Sequence, residues 1–460
     1  MTTARRSGAR LSRAPAVVPW AAAIAIAVAG CSTVSKIGGA SPFHHKKHAS
    51  TASKGTRIPI IALNDQLTVS DALKGQDFLL PPPTPNAEWP LPGDTPGQSV
   101  EHVDAAPAFV VAWRRGFGAP SSKRRHITAT PISAGGRIFL MDGGAGVSAH
   151  DARTGARIWR TDIEPKSKRD HEGWGGGLAY ADGRIYASSG FREVVALDAA
   201  TGAIVWRTRT EAPVHAAPTV FGGRVFVADV NDELLAFEAP TGVQAWTYQA
   251  LTEPARILAA SSPAVDNDTV VTSFASGELV AVRASNGNEL WNANLSRVSR
   301  TNALSEIRDI AGRPVIYKSD VYAVSHSDVL SAIDLRTGLP RWTLPVSAVT
   351  TPWVAGDVVY VVDQAGEVIC VSRESGQVYW IRDLNAGVKK KKLRAYWSTP
   401  ILASNRLITV SSKGVATAIN PKTGVVETTL RLGAPALISP IAVGGLVYVV
   451  TDNAQLVAIR

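Results

Sequence analysis

Cysteine is the residue type with the clearest chemical potential in this sequence, and only Cys31 has neighbours that point to a reaction. The residues Val28-Ala29-Gly30-Cys31 close an apolar run that begins at Ala14. This pattern is typical of a bacterial lipobox, in which a peptidase cuts before the cysteine and the thiol receives a diacylglycerol group. We therefore expect residues 1–30 to be a lipoprotein signal peptide and Cys31 to be lipidated. An ordinary signal peptide followed by a chance cysteine is the alternative.

The sequence also contains residue types that form catalytic or metal-binding sites in other proteins, but they lack the spacing that such sites need. Gly175-Gly176-Gly177 is not followed by a predicted helix, so it is not expected to cradle a phosphate. Cys370 is the second of only two cysteines, which excludes a disulfide scaffold and a cysteine-based metal cluster, and we interpret it as a small buried residue. The following histidines are scattered along the chain and are interpreted as polar surface residues: His126, His150, His171, His215 and His326.

The composition favours a globular protein. Of the 460 residues, 45% are hydrophobic and 19% are charged, which excludes disorder throughout the chain. Four of the 48 basic residues lie in the signal peptide, and the remaining 44 face 38 acidic residues, so the net charge falls from +10 to about +6. A charge this small does not argue for nucleic acid as a partner.

Residues 31–104 have the composition of a linker. They are rich in Ser, Gly, Lys and His, and then in proline, as in Pro81-Pro82-Pro83. We interpret them as a lipid-anchored, Pro-rich tether. The segments Ile58 to Leu63 and Phe78 to Leu80 are apolar enough to dock on the domain that follows.

A repeat determines the fold of the rest of the chain. A glycine is followed four residues later by a tryptophan in six copies, and a seventh copy has Thr428 in place of the tryptophan. The pairs are Gly155/Trp159, Gly202/Trp206, Gly242/Trp246, Gly287/Trp291, Gly338/Trp342 and Gly376/Trp380, and the seventh glycine is Gly424. Each glycine lies 24 residues after a second motif position, which is Pro131, Leu178, Pro218, Pro263, Pro314, Pro352 or Pro400. A constant spacing of this kind indicates a repeat architecture.

Each repeat predicts one blade of a β-propeller. Its residues alternate between apolar and polar, and the turn before the tryptophan, as in Asp151 to Gly155, has an acidic residue and a glycine that suit a hairpin with a bulge. Four antiparallel strands per repeat, stacked radially, form a propeller. We interpret the tryptophans as structural residues that pack each blade on the next.

The chain ends give the number of blades. An eighth proline motif begins at Pro440, and Arg460 ends the chain before a fourth strand can form. Trp113 lies upstream without a repeat of its own, so we predict that an N-terminal strand supplies the missing strand. The prediction is an all-β, eight-bladed propeller over residues 105–460. All variation in length falls in the connections between blades, on one face, which favours that face for binding.

The blade motif is similar to the repeat of quinoprotein (PQQ-dependent) dehydrogenases and their non-enzymatic relatives. It is intact in Ala149 to Trp159, Ala196 to Trp206 and Ala332 to Trp342. With the lipobox and the Pro-rich lead Asn86 to Pro90, the chain resembles the BamB family of lipoproteins in the outer-membrane β-barrel assembly (BAM) complex. The adjacent cysteine pair of quinoprotein alcohol dehydrogenases is absent from the sequence.

The resemblance implies a function and a set of partners. It implies a non-catalytic scaffold on the periplasmic face of the outer membrane, held by its lipid anchor, with no cofactor and no metal. The expected partners are a POTRA domain of the barrel subunit BamA and other subunits of the complex, and unfolded barrel proteins are a further candidate. A PQQ-dependent dehydrogenase and a propeller with a different envelope partner are the alternatives.

The resemblance also places the partner contact in the connections that precede Pro263 and Pro314. The residues that match are Arg256, Ile257, Leu258, Ile307, Arg308 and Asp309. Half of the family's acidic signature is missing, because Ala311 replaces its second aspartate. The alternative is that the aliphatic residues only hold their loops on the propeller. A third connection carries Lys389 to Lys392, which we interpret as a solvated loop, with an acidic partner or anionic lipid as the alternative.

Overall fold

The structure, a computed structural model, describes residues 67–165, 173, 175–252, 261–296 and 309–460. They form eight four-stranded antiparallel sheets, with one turn of 3-10 helix at Lys391–Leu393. The sheets follow one another along the chain, and inner strands of successive sheets lie side by side. This confirms the eight-bladed propeller that the repeat predicts. The described residues include no helix long and apolar enough to cross a membrane.

Seven blades are built from consecutive strands, and their inner strands begin at or next to the proline motif. Blades one to four are β2 (Ile132–Ala134), β3 (Arg137–Met141), β4 (Gly146–Asp151) and β5 (Arg157–Asp162); β6 (Gly176–Ala181), β7 (Arg184–Ser189), β8 (Glu193–Asp198) and β9 (Ile204–Arg209); β10 (Thr219–Phe221), β11 (Arg224–Ala228), β12 (Glu233–Glu238) and β13 (Gln244–Gln249); β14 (Ala264–Asp266), β15 (Thr269–Ser273), β16 (Glu278–Arg283) and β17 (Glu289–Asn294). Blades five to seven are β18 (Val315–Tyr317), β19 (Asp320–Val324), β20 (Leu330–Asp334) and β21 (Pro340–Leu344); β22 (Trp353–Ala355), β23 (Val358–Val362), β24 (Glu367–Ser372) and β25 (Val378–Asp383); β26 (Ile401–Ala403), β27 (Arg406–Val410), β28 (Val415–Ile419) and β29 (Val426–Arg431).

The eighth blade joins the two ends of the ring. It consists of β30 (Ile441–Val443), β31 (Leu446–Thr451), β32 (Gln455–Ile459) and, as its outer strand, β1 (Val111–Gly116) from the start of the propeller. Strand β1 pairs with β32 in antiparallel register, with Trp113 opposite Ala458. The closure predicted from the chain ends is therefore present, and it leaves no sheet open between the first and last blades.

Tryptophan and glycine meet between neighbouring blades. Gly202 has a φ of +75°, and a Cβ there would lie 2.5 Å from the Trp159 ring of the preceding blade. Only glycine gives both this conformation and this contact without strain. The indole Nε1 of each tryptophan also donates to a carbonyl of the next blade, at 2.7–3.2 Å: Trp159 to Ala199, Trp206 to Ala239, Trp246 to Ala284, Trp291 to Leu335, Trp342 to Arg373 and Trp380 to Pro421.

Residues 78–106 form a strap across the end of the ring where each inner strand turns into the second strand of its blade. Trp89 anchors the strap: it is 1% exposed, and its ring stacks on Trp353 with 6.4 Å between centroids. Its Nε1 donates to the carbonyl of Pro92 at 3.3 Å, and its backbone exchanges two hydrogen bonds with Ser133 of β2. The strap thereby shares the hydrophobic core of the propeller.

The strap makes hydrogen bonds to all eight blades. From blade one to blade eight they join Trp89 to Ser133, Pro90 to Tyr180, Gln98 to Thr219, Pro96 to Val265, Gly97 to Ile316, Glu101 to Trp353, Val103 to Leu402 and Ala106 to Gly445. The predicted tether is therefore docked over its described part: the amide of Ser70 donates to the carbonyl of Val378 at 2.9 Å, and from Phe78 onwards apolar side chains are buried and backbone groups are paired with the inner strands. Phe78 itself packs on Tyr379 at 4.6 Å between ring centroids, whereas Ile58 to Leu63 lies outside the described residues.

Candidate binding face

The face opposite the strap carries the connections between blades. The two connections singled out by sequence lie on either side of blade four, one before Pro263 and one before Pro314. Their bases touch: the Ser261 hydroxyl donates to the carbonyl of Gly312 at 3.3 Å, and the Ser273 hydroxyl donates to the carbonyl of Ile310 at 3.2 Å. The fold therefore brings the described bases of the two connections side by side.

Five of the six residues predicted to contact the partner lie outside the described residues. Arg256, Ile257 and Leu258 fall within 253–260, and Ile307 and Arg308 fall within 297–308. The sixth, Asp309, lies at the base of the second connection.

Asp309 is only 3% exposed, and its backbone carbonyl accepts a hydrogen bond from the amide of His326 at 2.9 Å. It is thus placed to hold the base of the connection on the propeller rather than to present a carboxylate to solvent.

An exposed leucine stands immediately before the first of these connections. Leu251 is 70% exposed, and its amide donates to the Glu278 carboxylate at 3.1 Å. That carboxylate is buried and also accepts hydrogen bonds from the Ser276 hydroxyl and the Asn292 amide, both at 2.9 Å. The hydrogen bond from its amide holds the backbone that carries this exposed side chain. Leu251 is not among the residues predicted from the sequence to contact the partner.

A central cavity opens on the same face. Its volume is about 700 Å³, and its wall is formed by residues that lead from the connections into the inner strands. Pro92 of the strap lies at its far end. Three partly or largely exposed apolar side chains stand at its mouth: Val349 at 44%, Tyr396 at 69% and Leu437 at 44%.

Three histidines that are far apart in sequence, His126, His215 and His326, line this cavity together. His126 is exposed and His215 and His326 are half-buried, so the three remain surface residues, and the ring brings them around one axis from blades one, three and five. His150, by contrast, is not at the surface: it is 1% exposed, its Nδ1 lies 3.0 Å from the carbonyl of Gly155, and burial lowers its pKa. His171 lies outside the described residues.

The acidic residues of the cavity belong to turns of their own blades. The Asp363 carboxylate accepts from the amide of Glu367 at 2.7 Å, and burial raises its pKa to about 6. Burial also raises the pKa of Asp452, against the opposing effects of His126 and of a hydrogen bond with Ser121. Among the described residues, no three His, Cys, Asp or Glu side chains converge as a metal site would require.

Cys370 lies in β24 and is fully buried, with no disulfide partner. Burial raises the pKa of its thiol well above the usual value, so the thiolate that a nucleophile needs is disfavoured. The structure places it as a small core residue.

The lysine-rich connection is solvated. Lys389 to Lys392 are exposed, and a single turn of 3-10 helix holds Leu393 54% exposed beside them. The apolar Tyr396 then returns the chain to the mouth of the cavity.

Comparison with known proteins gives a family and a set of structural relatives. A family model described as "Outer membrane protein assembly factor BamB" matches residues 143–382 and 387–460. The assembly factor BamB of Moranella endobia is 24% identical over 242 residues, which are 53% of this chain and 61% of that protein.

Two solved structures show how widely the fold is shared. BamB from Moraxella catarrhalis superposes with a TM-score of 0.65 at 16% identity, covering 77% of this chain and 100% of that one. Quinohemoprotein alcohol dehydrogenase from Comamonas testosteroni gives a TM-score of 0.61 at 14% identity, covering 81% of this chain and 80% of that one. Fold alone therefore does not separate a scaffold from an enzyme.

Proposed function

The chain belongs to the family of the outer membrane protein assembly factor BamB, and we propose on that basis that it is a non-catalytic scaffold of the outer-membrane β-barrel assembly complex. In this role it aids the assembly and insertion of β-barrel proteins from the periplasmic side. The lipid on Cys31 holds it at the membrane.

The proposed partner is a POTRA domain of the barrel subunit BamA, bound by the two connections that flank blade four. The observation that supports this surface most is the contact between their bases, Ser261 to Gly312, which makes two separate segments into one patch. The exposed side chain of Leu251 borders that patch. An apolar anchor with polar residues around it is the usual composition of an interface of moderate size.

The dehydrogenase alternative gains no support from particular residues. The sequence has no adjacent cysteine pair, and its second cysteine is a buried core residue. Of the described acidic residues at the cavity, Asp363 caps its own turn and Asp452 is hydrogen-bonded to Ser121, and they are not grouped as oxygen ligands for a hard cation.

Recovery of the partner from detergent-solubilised envelopes tests the proposal. The test variant is Leu251→Asp, and the matched control is Leu339→Asp, because Leu339 is 66% exposed but lies in a turn at the opposite end of blade five. We expect wild type and Leu339→Asp to recover BamA and Leu251→Asp to recover much less, with identical circular dichroism spectra. Recovery of no barrel-assembly subunit by the wild type would contradict the function, whereas equal recovery by all three would contradict the surface.

A further inference from the structure

One position of the blade repeat faces the central cavity in every blade. It is the residue immediately before the proline motif, and in seven blades it is small: Thr130, Gly177, Ala217, Ser262, Thr351, Thr399 and Ser439. In blade five it is Arg313. Seven of the eight positions line the cavity directly, and blade two lines it through the adjacent Gly176. The ring therefore carries a single cation among small side chains.

Arg313 has no anionic partner among the described residues. Its amide donates to the Thr351 hydroxyl at 3.2 Å, and its Nη2 makes a long contact of 3.4 Å with the carbonyl of Pro92. Its Nε is buried without a hydrogen-bond partner. Burial lowers the pKa of the guanidinium to about 10, so the group is still charged at neutral pH. Arg313 as a whole is half-buried, and a partly desolvated charge with incomplete hydrogen bonding is costly, a cost that a bound anion would offset.

The other charged groups of the cavity do not neutralise Arg313. The Asp363 carboxylate caps its own turn, and Asp452 is held near Ser121 and His126. The guanidinium therefore remains available to a ligand that enters the cavity.

The shape of the cavity restricts that ligand. Pro92 of the strap lines the cavity and its carbonyl contacts the Arg313 guanidinium, so the cation lies towards the strap. The mouth presents Val349, Tyr396 and Leu437, which favour an apolar group above the cation. A volume of about 700 Å³ is within the range of pockets that enclose a small molecule or a few residues.

We propose that the cavity binds, end-on, a carboxylate carried by an apolar group, with the carboxylate on the Arg313 guanidinium and the apolar group at the mouth. The planar fork of arginine matches a carboxylate in two parallel hydrogen bonds. Two sources share this chemistry: the carboxyl terminus of an extended peptide and a free organic acid.

Titration calorimetry on the full-length chain in non-ionic detergent tests this site. The probes are a hexapeptide ending in Val-Leu with a free carboxylate, the same peptide with a terminal amide, and 3-phenylpropionate. The variant is Arg313→Thr, which restores the residue that blades one, six and seven have at this position and should therefore fold. The control is Arg336→Thr, because Arg336 is an exposed arginine in a turn at the other end of blade five.

We expect the wild type and the control to bind the free-acid peptide at least about tenfold more tightly than the amide, as a charge-assisted hydrogen bond predicts. We expect Arg313→Thr to bind both peptides equally. Tighter binding of the peptide than of 3-phenylpropionate identifies a chain terminus as the ligand, and the reverse identifies an organic acid. No preference for the acid in the wild type, or an unchanged preference in Arg313→Thr, would overturn the site. We expect Arg313→Thr to recover BamA as the wild type does. A failure of the cavity proposal can therefore be distinguished from a failure of the proposed scaffold function.

Discussion

Replacing Trp89 by alanine should destabilise the whole propeller, although Trp89 lies outside the eight blades. Its indole is 1% exposed, stacks on Trp353 of blade six and donates to Pro92, while its backbone is paired with Ser133 of blade one. Trp89 therefore ties the strap to blade six through its indole and to blade one through its backbone.

The expected magnitude follows from burial. Truncating a fully buried tryptophan to alanine costs about 3–5 kcal/mol through lost apolar contact and the cavity left behind. Leu79→Ala is the control in the same segment, because Leu79 is 68% exposed and its truncation should change the free energy of unfolding by less than about 0.5 kcal/mol.

Urea unfolding followed by tryptophan fluorescence and circular dichroism gives the free energies, and limited proteolysis reports whether the strap is released. We expect Trp89→Ala to lower the midpoint and to expose cleavage sites within residues 78–106, with Leu79→Ala like the wild type. A Trp89→Ala protein as stable as the wild type would show that the strap is not part of the folded unit and would refute this account of it.

Three further predictions concern the blade contact, pH and the anchor. Gly242→Ala should lower the free energy of unfolding in urea more than Gly222→Ala does. Both glycines have positive φ, but only a Cβ at Gly242 would meet an aromatic ring, that of Trp206 at 2.5 Å. Equal losses would contradict the packing role of the glycine. Burial raises the pKa of Asp94 to about 6, so the folded state binds more protons than the unfolded state between about pH 4 and pH 6. The free energy of unfolding therefore falls as pH rises through that window. Asp94→Asn should make this fall shallower in unfolding measured from pH 4 to pH 7, and an unchanged slope would contradict the prediction. Cys31→Ser should move the protein from the membrane fraction to the soluble fraction in fractionated cells, and retention in the membrane would contradict lipidation as the anchor.

The fold could be predicted from the sequence because the repeat records contacts between neighbouring blades. Each tryptophan covers the turn glycine of the next blade, as Trp380 covers Gly424. The same contact explains why blade seven has Thr428 where a tryptophan is expected. In the next blade, blade eight, the third strand β32 and the outer strand β1 come from opposite ends of the chain, so no turn joins them and there is no turn glycine for a tryptophan to cover. A local motif thus encodes a long-range contact.

The strap and the cavity could not be predicted in the same way. The strap pairs with the inner strands through backbone groups of a Pro-rich segment, and its composition resembles that of a solvated linker. The cavity gathers His126, His215 and His326 from three blades, and their separations in sequence carry no ligand spacing. The exceptional Arg313 was visible once the eight repeats were aligned at the proline motif, and that alignment was the signal available to sequence reasoning.

Site-specific photo-crosslinking in intact envelopes tests the scaffold role most directly. A photoreactive residue at position 251, beside the connections that flank blade four, should crosslink to BamA, and the same residue at position 339 at the opposite end should not. A crosslink from position 251 alone is the result this account predicts. The absence of any barrel-assembly subunit from the crosslinks at position 251, or equal crosslinking from both positions, would contradict it.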